Sequence, residues 1–262
     1  MKDIWQAKQY SRYLVERTQP ATDLLARIPK RQLQEIVDLG CGTGNSTFLL
    51  KKRWPKAHLI GMDNSLNMLE QAKAIQQNIE WLHQDIATWQ PKTPPDLFCA
   101  NASLQWLSNH ETIIPRLFHF LNKKGILAVQ MPCNYHAPSH RVLLEVILHS
   151  TWRKHLLPLL QYGEDRSPVG TPEFYYTILA PLSNQISIWQ TQYLVILSGE
   201  DPVIEWMKGT TLRPILNALD QTEQQNFLKI YSDHLKKYYP KQANGHTLFS
   251  FNRIFFIAER NN

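Results

Sequence analysis

Short apolar runs and longer helix-periodic stretches take turns along the first half of the chain. Ile36, Val37 and Leu39 form a run of the kind that a parallel sheet buries on both faces. Similar runs stand at 57–62, 79–84, 96–100 and 126–130. Between them, 48–54, 65–75 and 109–121 repeat apolar residues at helical spacing, and Pro55 closes the first of these. Strand, helix, strand in this order predicts an α/β chain with a doubly wound, mostly parallel sheet. A lead-in over 3–28 offers Tyr13, Leu14, Leu24, Leu25 and Ile28 as apolar contacts, and Pro20 is expected to divide it.

Past Pro132 the pattern changes. Residues 136–160 read as helical, 162–172 as a loop rich in Gly, Pro and charge, and 173–182 as another helix. The stretch 185–197 alternates at its start and reads as strand six. Residues 201–219 and 222–239 are helical, the second opening on a capping box at Thr222 and Gln225. Residues 247–258 form a last strand. The division expected is a core of 1–135, 183–199 and 246–262, with a helical cap made of 136–182 and 200–245.

Composition narrows the class. The 262 residues are 43% hydrophobic and 19% charged, which are globular values. No apolar run approaches the roughly 20 residues that span a bilayer. The first twenty residues carry charge throughout and do not read as a signal peptide. Cys41, Cys99 and Cys133 are widely spaced and odd in number, which predicts reduced thiols in a cytoplasmic protein and no metal site. The net charge of +6 and pI near 9.2 admit either nucleic acid or an anionic small molecule as partner. Lys51, Lys52 and Arg53 end a helix, where cations suit the macrodipole, and are expected to be solvated.

The candidate chemistry begins at 35–47, EIVDLGCGTGNST. Gly40, Gly42 and Gly44 follow the first strand, and Asn45, Ser46 and Thr47 offer caps for the helix beyond. Strand, glycine turn and helix form a nucleotide-binding opening. The spacing is G-x-G-x-G where a dinucleotide site has G-x-G-x-x-G, and no Lys stands where a triphosphate loop needs one. Asp38, two before the first glycine, suits a cationic ligand end better than a pyrophosphate. Asp63 ends strand two, 23 positions after Gly40, where an acidic residue is placed to accept from ribose hydroxyls. Asn64 follows it in the same loop, and either Asn64 or Ser65 can cap the next helix.

DLGCGTG resembles the cofactor loop of the Rossmann-like methyltransferases, which use S-adenosylmethionine. That resemblance implies a seven-stranded sheet with an antiparallel last strand. It also implies that Asp85 meets the adenine amino group and the Ile86 N–H a ring nitrogen; the alternative for Asp85 is a loop cap. Asn101, at the carboxyl end of strand four, is expected to hold the cofactor amine by its backbone carbonyl. The whole chain resembles the trans-aconitate 2-methyltransferases. The pieces that carry this are Trp5, Tyr10, Arg17 and Pro20, then VDLGCGTGNST, RWP at 53–55, ANASLQWL at 100–107, LAVQMP at 127–132, LRP at 212–214 and FNRIFFIAER at the end. The departure lies at 153–172. The family implies monomethyl esterification of a small tricarboxylate, by a monomer or weak homodimer.

The residues allow that chemistry. A carboxylate is already ionised at neutral pH, so no general base and no catalytic residue in that sense is expected. The site must supply cations for the spectator carboxylates, and arginine does this best. Arg253 shares an alternating row with Phe249, Phe251, Phe255 and Ile257, so it needs an anionic partner: the substrate, or a structural acid such as Asp96. Arg213, Arg17, Tyr10, His136 and His140 complete the substrate set, and Trp106 is expected to pack rather than bind. The rivals are another small-molecule methyltransferase, a nucleic-acid methyltransferase, a nicotinamide-dependent dehydrogenase and a non-catalytic binding module. Adenine-modifying enzymes carry an Asn/Asp-Pro-Pro-aromatic run after strand four, where this chain has Asn101-Ala102-Ser103-Leu104.

Overall fold

The computed structural model describes residues 14–76, 78–164 and 166–261, with the side chains of 14, 15 and 17 outside that description. Helix α1 (Leu14–Arg27) precedes β1 (Glu35–Leu39), α2 (Asn45–Arg53), β2 (His58–Asp63), α3 (Leu66–Ile75) and β3 (Glu80–His83). Then come β4 (Leu97–Asn101), α4 (His110–Phe120), β5 (Ile126–Pro132), α5 (Pro138–Leu148), α6 (Arg153–Leu156) and α7 (Pro172–Leu179). The chain closes with β6 (Gln185–Leu197), α8 (Pro202–Lys208), α9 (Leu212–Asn217), α10 (Gln221–Leu235) and β7 (Thr247–Glu259). One seven-stranded sheet has the order β3-β2-β1-β4-β5-β7-β6. The pairs from β3 to β5 are parallel; β7 runs antiparallel to both β5 and β6. This is the doubly wound sheet that the apolar runs predict.

Two layers cover the sheet because alternate strand residues face opposite sides. On one face, Val37, Phe98, Val129 and Phe256 pack with Ile114 of α4 and Tyr175 of α7. On the other, Ile36, Cys99, Ala128 and Phe255 pack with Leu24 of α1 and Leu50 of α2. Each fully buried side chain of this size contributes about 1.5–3 kcal/mol. Helix α7 therefore belongs to the sheet's layer and not to the cap, a correction to the expected cap span of 136–182. Periodicity marks an apolar face but does not say what covers it.

A third core belongs to the cap. β5 pairs with β7 only as far as Pro132↔Arg253, whereas β6 pairs with β7 along its whole length. The overhanging ribbon carries Val195, Leu197 and Phe249 into a cluster with Leu143 of α5, Trp206 of α8, Ile215 of α9 and Tyr231 of α10. Arg253 thus stands where the ribbon leaves the sheet.

Local details depart from expectation in several places. α1 runs through Pro20, which is buried; the carbonyl that loses its N–H partner is that of Glu16, an exposed residue. α2 is preceded by Gly44 with no side-chain cap, because Ser46 and Thr47 are engaged elsewhere. α10 starts earlier than expected: Asp220 accepts from the Glu223 N–H at 2.8 Å and Glu223 accepts from the Asp220 N–H at 3.0 Å. A carboxylate is the stronger acceptor, so Asp-x-x-Glu wins over Thr-x-x-Gln. Lys51 and Arg53 are tied down rather than solvated, donating to the Ala57 and Ile28 carbonyls at 3.1 and 2.6 Å.

Candidate active site

The carboxyl ends of β1, β2, β4 and β5 open one crevice, where ligands of doubly wound sheets bind. The glycine turn forms its floor. Gly40 and Cys41 both donate to the Met62 carbonyl, at 2.8 and 2.9 Å, which bends the chain tightly between β1 and β2. Gly40 has φ +73°, and a Cβ there would lie 2.3 Å from Ser103 Cβ. Ser103 in turn donates to the Leu39 carbonyl at 2.5 Å, so this turn and the loop after β4 are locked face to face. Gly42 has φ +56°, and a Cβ on it would meet nothing within 4 Å: its backbone faces open space. That is a cradle a ligand can occupy closely.

Asp38 lies at the end of β1 beside this cradle and is fully buried. Its Oδ2 accepts from Ser46 Oγ and Thr47 Oγ1, both at 2.7 Å, which ties the first turn of α2 to β1. Its Oδ1 has no hydrogen-bond partner among the described residues. Burial pushes its pKa up to about 6, against the pull of the two hydroxyls. Asp63 accepts from the Gly42 N–H at 2.8 Å and the Ser65 N–H at 2.9 Å, one on each oxygen. A carboxylate offers about four acceptor sites, so Asp63 can brace the glycine turn and the start of α3 at once. Ser65, not Asn64, caps α3, accepting from Met68. Asn64 is exposed, and its carbonyl meets His83 Nε2 at 3.1 Å.

Asp85 is exposed and accepts from the Ala87 N–H at 2.8 Å, so one of its oxygens caps the loop. Ile86 is buried, and its carbonyl accepts from Arg116 at 2.5 Å. Asn101 ends β4 half-buried; its Oδ1 is buried and has no hydrogen-bond partner among the described residues. Ala102 follows with φ +53°, a left-handed conformation that few non-glycine residues adopt.

Next to the crevice a cavity lies between the sheet ends and the cap. Gln105, Trp106, Asn134, Tyr135 and Arg253 line its sheet side; His140, Trp206, Thr210 and Thr211 line its cap side. Arg253 is 6% exposed, its guanidinium 4.4 Å from the Phe251 ring, with Nη1 donating to Gln130 Oε1 at 3.4 Å. Asp96 is not its partner. That carboxylate accepts from the Gln34 and Glu35 N–H groups and Asn122, at the opposite end of the sheet. Among the described residues, no Asp or Glu lines the cavity.

The remaining substrate candidates divide. His140 lines the cavity between the Tyr135 and Tyr162 rings, at 5.4 and 5.3 Å, and burial pulls its pKa down to about 3. It is therefore neutral and offers hydrogen bonds, not charge. Arg213 is half-buried in the first turn of α9, beside Thr210 and Thr211 but outside the lining. His136 is exposed and does not line it either. Trp106 is 40% exposed at the cavity wall, which corrects the expectation of core packing. Arg17 lies on α1 with its side chain outside the described residues, and Tyr10 lies outside them altogether. Asn134 and Gln105 were not singled out from sequence. Asn134 exchanges two hydrogen bonds with the Asn252 backbone, at 2.6 and 3.2 Å, prolonging the β5–β7 pairing. Its place two residues past a strand end is the signal that pointed to it.

Comparison with known proteins agrees with this architecture. Residues 36–125 match the family described as "Methyltransferase domain". A trans-aconitate 2-methyltransferase of Azoarcus sp. (strain BH72) is 40% identical over 256 residues, covering 98% of this chain and 99% of its own. The chain belongs to the trans-aconitate 2-methyltransferase family. Its fold is shared with much more distant structures. The YcgJ protein of Bacillus subtilis has a TM-score of 0.57 at 14% identity, covering 92% of this chain and 98% of its own. Haemonchus contortus phosphoethanolamine N-methyltransferase 2, solved with S-adenosylhomocysteine, has a TM-score of 0.55 at 15% identity. It covers 92% of this chain, which matches 52% of that one. Among the described residues, no helix of this family member is long and apolar enough to cross a membrane.

Proposed function

We propose that this chain transfers a methyl group from S-adenosylmethionine to one carboxylate of trans-aconitate, giving the monomethyl ester. The observation that carries the substrate half is the cavity's charge: a buried arginine, Arg253, and no acid among its described lining residues. A cationic wall attracts an anion, and a planar guanidinium suits a carboxylate. The substrate named in the Azoarcus relative is a small polycarboxylate.

The cofactor half rests on fit. Gly42 leaves its backbone open to a ligand, and Asp63 stands at the tip of β2, where a carboxylate suits ribose hydroxyls. The Ile86 backbone and Asp85 suit the adenine edge. Asn101, whose buried Oδ1 has no hydrogen-bond partner among the described residues, suits the amino-acid end. Asp38 acts through the turn it braces. When bound, S-adenosylmethionine supplies the electrophilic methyl. The chain's own residues hold the spectator carboxylates with Arg253 and shield the reacting oxygen behind Trp106 and Trp206. Arg213, Arg17 and Tyr10 complete the clamp from the cap and lead-in. The division of labour is a binding core of 1–135, 172–199 and 246–262 under a cap of 136–162 and 200–245. Three free thiols support a reduced, cytoplasmic setting.

No proton needs to be removed from an ionised nucleophile. Nor, among the described residues, does the cavity lining hold a group able to titrate near neutrality: burial pulls His140 down to about 3 and raises Tyr135. The single-turnover methylation rate should therefore be flat from about pH 6.5 to 8. A chemical step that climbs tenfold per pH unit across that range would assign the nucleophile to a hydroxyl or amine instead.

A further inference from the structure

Gln105 brings a buried side-chain amide to the cavity lining. It sits in the 3-10 turn Leu104–Trp106, just past the carboxyl end of β4, and is 4% exposed. Its orientation is fixed: Nε2 donates to the Ala102 carbonyl at 2.7 Å. Turning the amide over would set two acceptor oxygens against each other at that distance. Ala102 is itself pinned, its N–H donating to the Gln130 carbonyl at 2.9 Å with φ held at +53°. The outcome is that Gln105, a residue of the cavity lining, has a buried Oε1 that accepts no hydrogen bond among the described residues. A bare buried carbonyl is costly unless something complements it.

What complements it follows from charge. The oxygen end of an amide dipole repels a carboxylate, so the substrate's anionic groups belong on the Arg253 side of the cavity. The Gln105 side takes a positive group. Ser103, two residues earlier, packs against Gly40 of the glycine turn, so this wall adjoins the proposed methyl-donor cradle. We propose that Gln105 Oε1 contacts the positively charged sulfonium end of bound S-adenosylmethionine, so that the cavity is polarised with cation and anion held on opposite walls. This rests on the methyl-donor reading above. The contact also makes Gln105 selective. S-adenosylhomocysteine is a neutral thioether, so the same oxygen favours the substrate cofactor over its product.

That selectivity is measurable without turnover. Calorimetry on the full chain gives dissociation constants for S-adenosylmethionine and S-adenosylhomocysteine, and their ratio cancels changes common to both. Gln105→Met keeps the side chain's length but removes the carbonyl. It should lower the preference for S-adenosylmethionine roughly two- to fivefold, the scale of a weak C–H···O contact. Gln105→Leu, which also lacks the carbonyl, should lower it in the same direction. Ala102→Gly, which relieves the backbone while keeping Gln105, should leave it unchanged. Should Gln105→Met fail to fold, the Leu variant alone reads the sign. Variants that bind both ligands with the wild-type ratio, or lose both equally, would overturn the contact and leave Gln105 as a brace for Ala102. Wild-type protein that binds neither ligand would overturn the methyl-donor reading itself, which is a different result.

Discussion

Replacing Arg253 by alanine should lower kcat/KM for trans-aconitate by roughly 10–100-fold, the equivalent of about 1.5–3 kcal/mol for a charge-assisted pair. The affinity for S-adenosylmethionine should barely change, because Arg253 stands on β7, away from the glycine turn between β1 and β2. The loss should be larger for a tricarboxylate than for an analogue lacking one carboxylate, since the analogue has less to lose at that contact. Lysine should rescue only in part: it keeps the charge but loses the planar fork and the stacking on Phe251. Arg213→Ala should cost less, because that side chain is outside the cavity lining. A melting temperature that falls sharply, with equal loss on every substrate, would make Arg253 a structural cation instead.

The second large effect belongs to Asp63. Alanine there should weaken S-adenosylmethionine binding by about 1.5–3 kcal/mol, roughly 10–100-fold, the range for hydrogen bonds to a charged acceptor. Two contributions add. The ribose loses its acceptor, and Gly42 loses the carboxylate that holds its N–H at 2.8 Å. The fold should survive, since Asp63 is a half-buried strand tip and Ser65 still caps α3. Calorimetry on a folded variant that returned the wild-type affinity would remove Asp63 from the cofactor site.

The parallel half of the sheet was legible because strands buried on both faces write continuous apolar runs, and because the glycine turn needs backbone conformations that few residues accept. The row that holds Arg253 was legible for a similar reason: period-two alternation places Phe249, Phe251 and Phe255 with it, and all line one face. The cap's partners were not legible. Helical periodicity gave α7 an apolar face, but only tertiary packing of Tyr175 on Phe256, with ring centroids 4.9 Å apart, puts that face on the sheet. Asp38 was legible only in part. Its position before the glycines was plain, but not that two hydroxyls eight and nine residues on hold one of its oxygens. Of the cavity, Arg253 and His140 were named from sequence; Gln105, Asn134 and Thr211 were not, since they come from separate segments that only the fold brings together.

Methylation of a carboxylate on a small polycarboxylate leaves a product that can be read directly. The most direct test incubates the full chain with S-adenosylmethionine and a panel of small carboxylic acids, and reads the products by mass spectrometry. The panel should include trans-aconitate, its cis isomer, citrate and a dicarboxylate. Carboxylate methylation predicts one added methyl group on trans-aconitate, lost on mild alkaline hydrolysis as an ester must be, with weaker or no product from the others. Methyl transfer to a hydroxyl or amine compound with none of the acids modified would contradict it.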